Sequence, residues 1–217
     1  MRNFMPTYMA SWILFALFLI LLCMRSADST ANGQLAALNP FTCSSNSSND
    51  PQTCRSLLYQ SNDLQKEQIA VYYSVNASDI LNITNGNKQD YLVPVPCSCK
   101  NVNGTIAYFY DTVYTVKEYD TFVNVSADYY SGQVWRVGGE EGSFIPGTKV
   151  PIHLLCGCVR YSAMIIVTYT VQQLDTLSEI ADKLHSAVDL IQILNINLAH
   201  NSTYIEADWV LFVPLLY

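Results

Sequence analysis

Basic residues are scarce in this chain of 217 residues. Eleven lysines and arginines face 18 aspartates and glutamates, which gives a formal net charge of −7 at pH 7. If Arg2 and Arg25 are removed with an N-terminal signal peptide, as expected below, the charge becomes about −9 (−7 minus 2). Nucleic acids and anionic membranes are bound through basic patches. The composition therefore argues against both and leaves neutral or cationic partners.

Long hydrophobic runs are also few. The first, from Trp12 to Met24, covers about 13 residues, which suits the apolar core of a signal peptide and falls short of the roughly 20 that span a bilayer. We predict that residues 1–27 are a cleaved signal peptide, and the alternative is an uncleaved signal anchor. The apolar stretches 163–167 and 209–217 are too short to span a membrane. This pattern predicts a protein that is secreted or lies at the extracellular face of the plasma membrane.

Motifs for catalysis or metal binding are missing. The three histidines, His153, His185 and His200, lie in no nucleophile or metal motif. A pair of carboxylates could still act as acid and base, but the chain divides into small repeats, described below, that leave little room for a deep cleft. We therefore expect no catalytic residue, no metal and no cofactor.

Six cysteines remain after Cys23 leaves with the signal peptide, and an even number in a secreted chain predicts three disulfides. A zinc site is disfavoured because the two C-x-C pairs lack the usual spacing. Residues i and i+2 of a strand lie about 6.5 Å apart, so a bond within one C-x-C would strain the backbone. Each pair should bond outward, and the partners stay open at this point. The cysteines are Cys43, Cys54, Cys97, Cys99, Cys156 and Cys158.

Asparagine sequons agree with an extracellular location. Six N-x-[ST] triplets predict N-glycosylation of a secreted surface. They begin at Asn46, Asn76, Asn82, Asn103, Asn124 and Asn201.

A βααβ pattern repeats three times at intervals of about 55–60 residues, after an irregular leader at 28–54. In the third copy, strand 165–172 precedes an Asp175-Thr176 cap and an apolar helical stripe, then a second helix at 187–194 and a strand at 209–214.

The second copy has a similar order. It predicts a strand at 113–116, a helix at 122–130, a short helix at 133–137, a loop at 138–147 and a strand at 149–155. The first copy lacks the Asp-Thr cap. It predicts a strand at 56–60, helices at 64–75 and 77–83, and a strand at 91–95.

Two segments now identify a family. Tyr169 to Asp182 reads YTVQQLDTLSEIAD and Tyr114 to Phe122 reads YTVKEYDTF. Both resemble the opening of a LysM module, Y-x-V-x-x-G-D-T-L-x-x-I-A, with Leu174 and Tyr119 in place of the glycine. With C-x-C pairs between the copies, the chain resembles the ectodomain of plant LysM receptor-like kinases from about Cys43 to Pro214.

The resemblance implies an α+β fold of three tandem βααβ modules packed together and clamped by three disulfides. The modules would be residues 55–99 (degenerate), 108–158 and 165–215. The implied disulfides are Cys43–Cys99, Cys54–Cys158 and Cys97–Cys156.

The function implied by the resemblance is that of an extracellular pattern-recognition ectodomain in symbiosis or immunity. Its partner would be a microbial or cell-wall glycan, of the chitin or lipochitin type or, because the first module is atypical, an exopolysaccharide. Another LysM receptor is a further implied partner. The alternatives are a non-binding co-receptor and a secreted protein that sequesters glycans.

LysM modules bind glycans between the first strand-to-helix loop and the loop before the last strand. In the third module these loops are 173–176 and 200–204. In the second module the resemblance assigns glycan binding to Glu118, Tyr119, Asp120, Thr121, Gly142, Ser143, Phe144 and Ile145.

Competing roles are open for several of these residues. Asp120, Thr121, Asp175 and Thr176 suit helix caps as well as ligand contacts, and Trp135 and Trp209 suit the core.

Overall fold

The computed structural model describes residues 40–44, 52–61, 63–85, 88–159, 164–195, 198 and 205–216. The predicted signal peptide, most of the leader, and the sequons at Asn46 and Asn201 lie outside these residues. The described residues form seven strands: β1 (Thr53–Gln60), β2 (Leu81–Asn85), β3 (Lys88–Val102), β4 (Thr105–Thr115), β5 (Lys149–Leu155), β6 (Met164–Thr170) and β7 (Val210–Leu216). They also form four helices: α1 (Lys66–Tyr73), α2 (Phe122–Tyr130), α3 (Leu177–Lys183) and α4 (Val188–Leu194).

One sheet joins all seven strands in the order β5-β4-β3-β1-β6-β7, with β2 added on β3. The pairings are antiparallel except for that of β1 with β6, where Leu57 lies opposite Val167. Strand β3 is long enough to pair with β1 through Tyr91–Ser98 and with β4 through Ser98–Val102. It therefore links two parts of the sheet.

Helical elements lie between the strands of three antiparallel pairs, β1–β3, β4–β5 and β6–β7. We call each pair with its intervening helices a unit. In the third unit the predicted apolar stripe is buried: Leu177, Ile180, Ala181 and Leu184 are at most 7% exposed. They pack with residues of β1, β6 and β7 in one cluster. The mixed α+β fold is thus confirmed.

Two predicted helices are wrong. Residues 133–137 are not helical, because Val134 bridges Leu154 and the Trp135 amide donates to the His153 carbonyl at 2.7 Å. In this second unit, the helical element that follows α2 is a short 3₁₀ helix at Glu140–Ser143. In the first unit, residues 77–83 form a 3₁₀ helix at Ala77–Asp79 and then enter β2, which pairs with β3. Strand pairing outweighed local helical periodicity at both places.

Three disulfides tie the units together. They join Cys43 to Cys99, Cys54 to Cys158 and Cys97 to Cys156, which are the pairs that the resemblance implies. Neither C-x-C closes on itself, and the zinc alternative fails because all four of these thiols are bonded. The bridges span 56, 104 and 59 residues. Closing loops of this length restricts the unfolded chain and stabilises the fold by about 4–5 kcal/mol each in the entropy model.

A buried polar hub connects the three units. The Gln133 amide nitrogen donates to the Tyr59 carbonyl at 2.7 Å and the Thr168 carbonyl at 3.2 Å, and Gln133 is fully buried. Ser131 donates to the Gln60 side chain at 2.9 Å, and the Thr170 hydroxyl donates to the Ser131 carbonyl at 2.6 Å. These residues come from the first, second and third units, so the hub sets their mutual placement.

We expect Gln133→Ala to lower the free energy of unfolding by about 1–3 kcal/mol, because the buried Tyr59 and Thr168 carbonyls lose their donor. Chemical denaturation of the disulfide-bonded protein measures this change. Gln173→Ala, at an exposed glutamine in a surface loop, is the matched control and should leave the midpoint unchanged. Equal midpoints for the two variants would show that the hub contributes little.

Candidate functional site

The second unit brings its two predicted loops together. The Val116 amide donates to the Thr148 carbonyl at 2.9 Å, and the Gly147 amide donates to the Val116 carbonyl at 2.8 Å. Deeper in the unit, the rings of Phe122 and Phe144 meet edge to face with centroids 5.9 Å apart. The segments 117–121 and 142–147 therefore form two adjacent walls, which we call the second-unit groove.

Asp120 organises the first wall. Its Oδ2 accepts hydrogen bonds from the Tyr114 hydroxyl and the Lys117 amide, both at 2.7 Å. Burial and the bond to Asp120 raise the pKa of Tyr114 well above its usual value, so the tyrosine stays a donor. Asp175 does the same in the third unit, where it accepts from Tyr169 at 2.6 Å and from the Gln172 amide at 2.8 Å.

Thr121 caps α2. Its hydroxyl accepts from the Asn124 amide at 3.2 Å, and the Asn124 side-chain oxygen accepts from the Thr121 amide at 2.8 Å. Thr176 and Glu179 form the same reciprocal pair at the start of α3. The cap interpretation of both threonines is confirmed, since a capping box satisfies amides that would otherwise be unpaired.

Tyr119 and Leu174 occupy equivalent positions in these two turns, where the family pattern has glycine. Their φ angles are 68° and 70°, in the left-handed region. Glycine reaches this region freely, whereas other residues lose about 1 kcal/mol or more there. Tyr119 is nevertheless 91% exposed and Leu174 95% exposed. Burial of the side chain therefore does not offset the strain in either turn.

Lys117 connects the first wall of the second-unit groove to the first unit. Its ammonium lies 4.9 Å from the ring centroid of Tyr129, 5.6 Å from that of Tyr72 and 5.8 Å from that of Tyr114. It also donates to the Tyr72 hydroxyl at 3.3 Å. Desolvation lowers the pKa of Lys117, but the tyrosines outweigh that effect and raise it. Because Tyr72 belongs to α1, this cation–π cluster positions the groove wall across the boundary between two units.

The rim of the groove is apolar and carries charges of both signs. Tyr119 and Ile145 expose 91% and 57% of their surface, and Glu118, Glu141 and Lys117 are exposed in the neighbouring sequence. Arg136 lies 3.9 Å from the Glu141 carboxylate. Of the other predicted residues, Gly142 and Ser143 are exposed and Phe144 is half-buried.

Behind the rim is a small cavity of about 120 Å³ between Phe122, Phe144, Trp135 and His153. Sites that enclose a ligand usually measure about 300–1,000 Å³, so an oligosaccharide would lie along the open groove. Trp135 is half-buried against Phe109, and Trp209 is half-buried against the core of the third unit. Both tryptophans contribute mainly to packing.

The third unit has the first wall of an equivalent groove, at 173–176. Its opposite wall, predicted at 200–204, lies outside the described residues. Four sequon asparagines are described: Asn76, Asn82 and Asn103 are exposed, and Asn124 is half-buried.

No group of three or more His, Cys, Asp or Glu side chains in the described part of the chain could hold a metal ion. Among the same residues, no helix is long and apolar enough to cross a membrane.

Comparison with known proteins gives a family match and several similar folds. The LysM domain family model matches residues 169–214, which lie within the third unit. No curated protein matches the sequence.

Two of the similar structures are receptor ectodomains. The ectodomain of a receptor like kinase has a TM-score of 0.58 and 20% identity, over 77% of this chain and 94% of that one. The LYK3 ectodomain has a TM-score of 0.57 and 20% identity, over 74% and 88% of the two chains. The chain thus matches the LysM domain in its third unit and has a fold similar to that of these two ectodomains.

Proposed function

We propose that the chain is an extracellular glycan-binding ectodomain of the LysM receptor type, with three modules corresponding to the three units. This proposal rests on two exposed apolar side chains, Tyr119 and Ile145, which lie on adjacent loops of the second unit. Sugar rings present apolar CH faces and polar edges. A groove with an apolar rim and nearby backbone groups offers contacts to both.

The proposed ligand at this groove is a neutral oligosaccharide of the chitin or lipochitin type. Glu118 and Glu141 are exposed at the rim, but Lys117 is exposed as well, and Arg136 lies 3.9 Å from Glu141. The groove therefore offers no excess of positive charge that would favour an anionic polysaccharide.

The first unit supports exopolysaccharide as the alternative ligand. It runs β1, α1, a 3₁₀ turn, β2 and β3, so a strand stands where the second helix of a βααβ module is expected. The start of α1 also lacks the Asp-Thr turn, and the Gln65 amide instead donates to the Gln68 side chain at 2.8 Å. The signalling role that we propose, in symbiosis or defence, depends on which of these ligands binds.

We expect Tyr119→Gly to weaken glycan binding about 10- to 100-fold, because burying a large apolar side chain against a ligand contributes about 1.5–3 kcal/mol. Glycine suits the left-handed turn, so the fold should be kept. Biolayer interferometry of residues 31–217 would measure affinity for chitin oligomers, peptidoglycan fragments, β-glucan and exopolysaccharide, before and after enzymatic removal of N-glycans.

Leu174→Gly is the matched control, because it makes the same change in the equivalent turn of the third unit. It should leave affinity unaltered if the second-unit groove binds. Equal losses in both variants would contradict the proposed site. If the protein with its three disulfides intact binds none of the four glycans, the proposed function fails and the result favours the non-binding co-receptor.

Salt dependence separates the two ligand types. Binding of a neutral oligosaccharide should change less than about twofold between 0.05 and 0.5 M NaCl, since screening acts on charge pairs. The same biolayer interferometry, repeated at each salt concentration, measures this change in affinity. An affinity that changes steeply with salt, in either direction, would point to a charged glycan.

A further inference from the structure

One sequon follows directly after the first wall of the second-unit groove. Asn124, Val125 and Ser126 form an N-x-[ST] triplet in the first turn of α2. The Asn124 amide oxygen accepts from the Thr121 amide at 2.8 Å, and its Nδ2 donates to the Tyr119 carbonyl at 3.3 Å. Both ends of the amide are therefore held, and the nitrogen that would carry a glycan lies 3.3 Å from the backbone carbonyl of Tyr119.

We propose that an N-glycan on Asn124 covers Tyr119 and closes the second-unit groove, so that occupancy of this sequon controls binding of free glycans. The control of binding rests on the proposed function, while the covering of Tyr119 does not. In the transfer reaction, Nδ2 forms a bond to C1 of the first sugar of a lipid-diphosphate-linked oligosaccharide. The sugar–phosphate bond breaks, the lipid diphosphate leaves and Nδ2 loses one proton.

The capping box is compatible with this modification. The oxygen that accepts from Thr121 is untouched, and Nδ2 keeps one N–H that can still reach the Tyr119 carbonyl. The sugar has room, because the Tyr119 side chain is 91% exposed. The exposed ring of Tyr119 then gains a partner, since the apolar face of the first sugar can stack on it.

The corresponding helix of the third unit, α3, has no sequon at this position. Glu179 occupies the position of Asn124, and its Oε2 accepts from the Thr176 amide at 3.0 Å. The same capping box thus exists in this chain with and without a sequon. Asn124→Glu copies the third-unit version, which removes the glycan while retaining the cap.

The test uses the full chain secreted from eukaryotic cells. Glycopeptide mass spectrometry should find Asn124 occupied, and hydroxyl-radical footprinting should show stronger labelling of Tyr119 in Asn124→Glu than in the glycosylated protein. Chitohexaose should bind Asn124→Glu at least roughly tenfold more tightly than it binds the glycosylated protein. Asn82→Gln, which removes an exposed sequon in β2, should change neither Tyr119 labelling nor affinity.

An unoccupied Asn124, or equal Tyr119 labelling with and without the glycan, would overturn the inference. If Tyr119 labelling increases in Asn124→Glu but the variant and the glycosylated protein bind chitohexaose with the same measurable affinity, the glycan on Asn124 does not control binding. If Tyr119 labelling increases but neither protein binds any of the four glycan classes named above, the covering stands and the proposed function fails.

Discussion

The buried amide of Gln133 is the contact on which the arrangement of the units depends. Its nitrogen reaches carbonyls of β1 and β6 from a segment that follows α2. A buried carbonyl without a donor costs about 1–3 kcal/mol, so each unit is stabilised by the correct placement of the other two. The disulfides restrict the unfolded chain, whereas this hub selects one packing among those that the disulfides permit.

The groove inherits its geometry from that packing. Asp120 closes the turn within the second unit, but Lys117 connects the same turn to Tyr72 of the first unit. A change in the relative position of the two units would therefore move the wall that carries Tyr119. The binding surface that we propose is a property of the assembled units, although its proposed contacts belong to one of them.

Local signals predicted much of the fold. Helix α2 at 122–130 and strand β5 at 149–155 have the predicted bounds, because a threonine cap and apolar periodicity act over a few residues. The helix expected at 133–137 is absent because Gln133 and Val134 contact residues distant in sequence. The helix predicted at 77–83 is wrong for a similar reason, because Leu81 to Ile83 pair with β3 as part of a strand.

The candidate site was predictable to a similar extent. The two turns follow from the family pattern, and their left-handed Tyr119 and Leu174 explain why that pattern has glycine there. The tyrosine cluster around Lys117 joins residues 72, 114, 117 and 129, and periodicity within one unit could not reveal it. The direction of the Asn124 amide likewise depends on side-chain hydrogen bonds that a sequon does not encode.

Hydrogen–deuterium exchange of the deglycosylated protein, with and without saturating chitin oligomer, tests glycan binding at the second-unit groove most directly. We predict that the ligand slows amide exchange in peptides covering 117–121 and 142–148 and leaves 171–176 unchanged. Protection confined to the third unit, or to β1 and β2 of the first, would contradict this assignment.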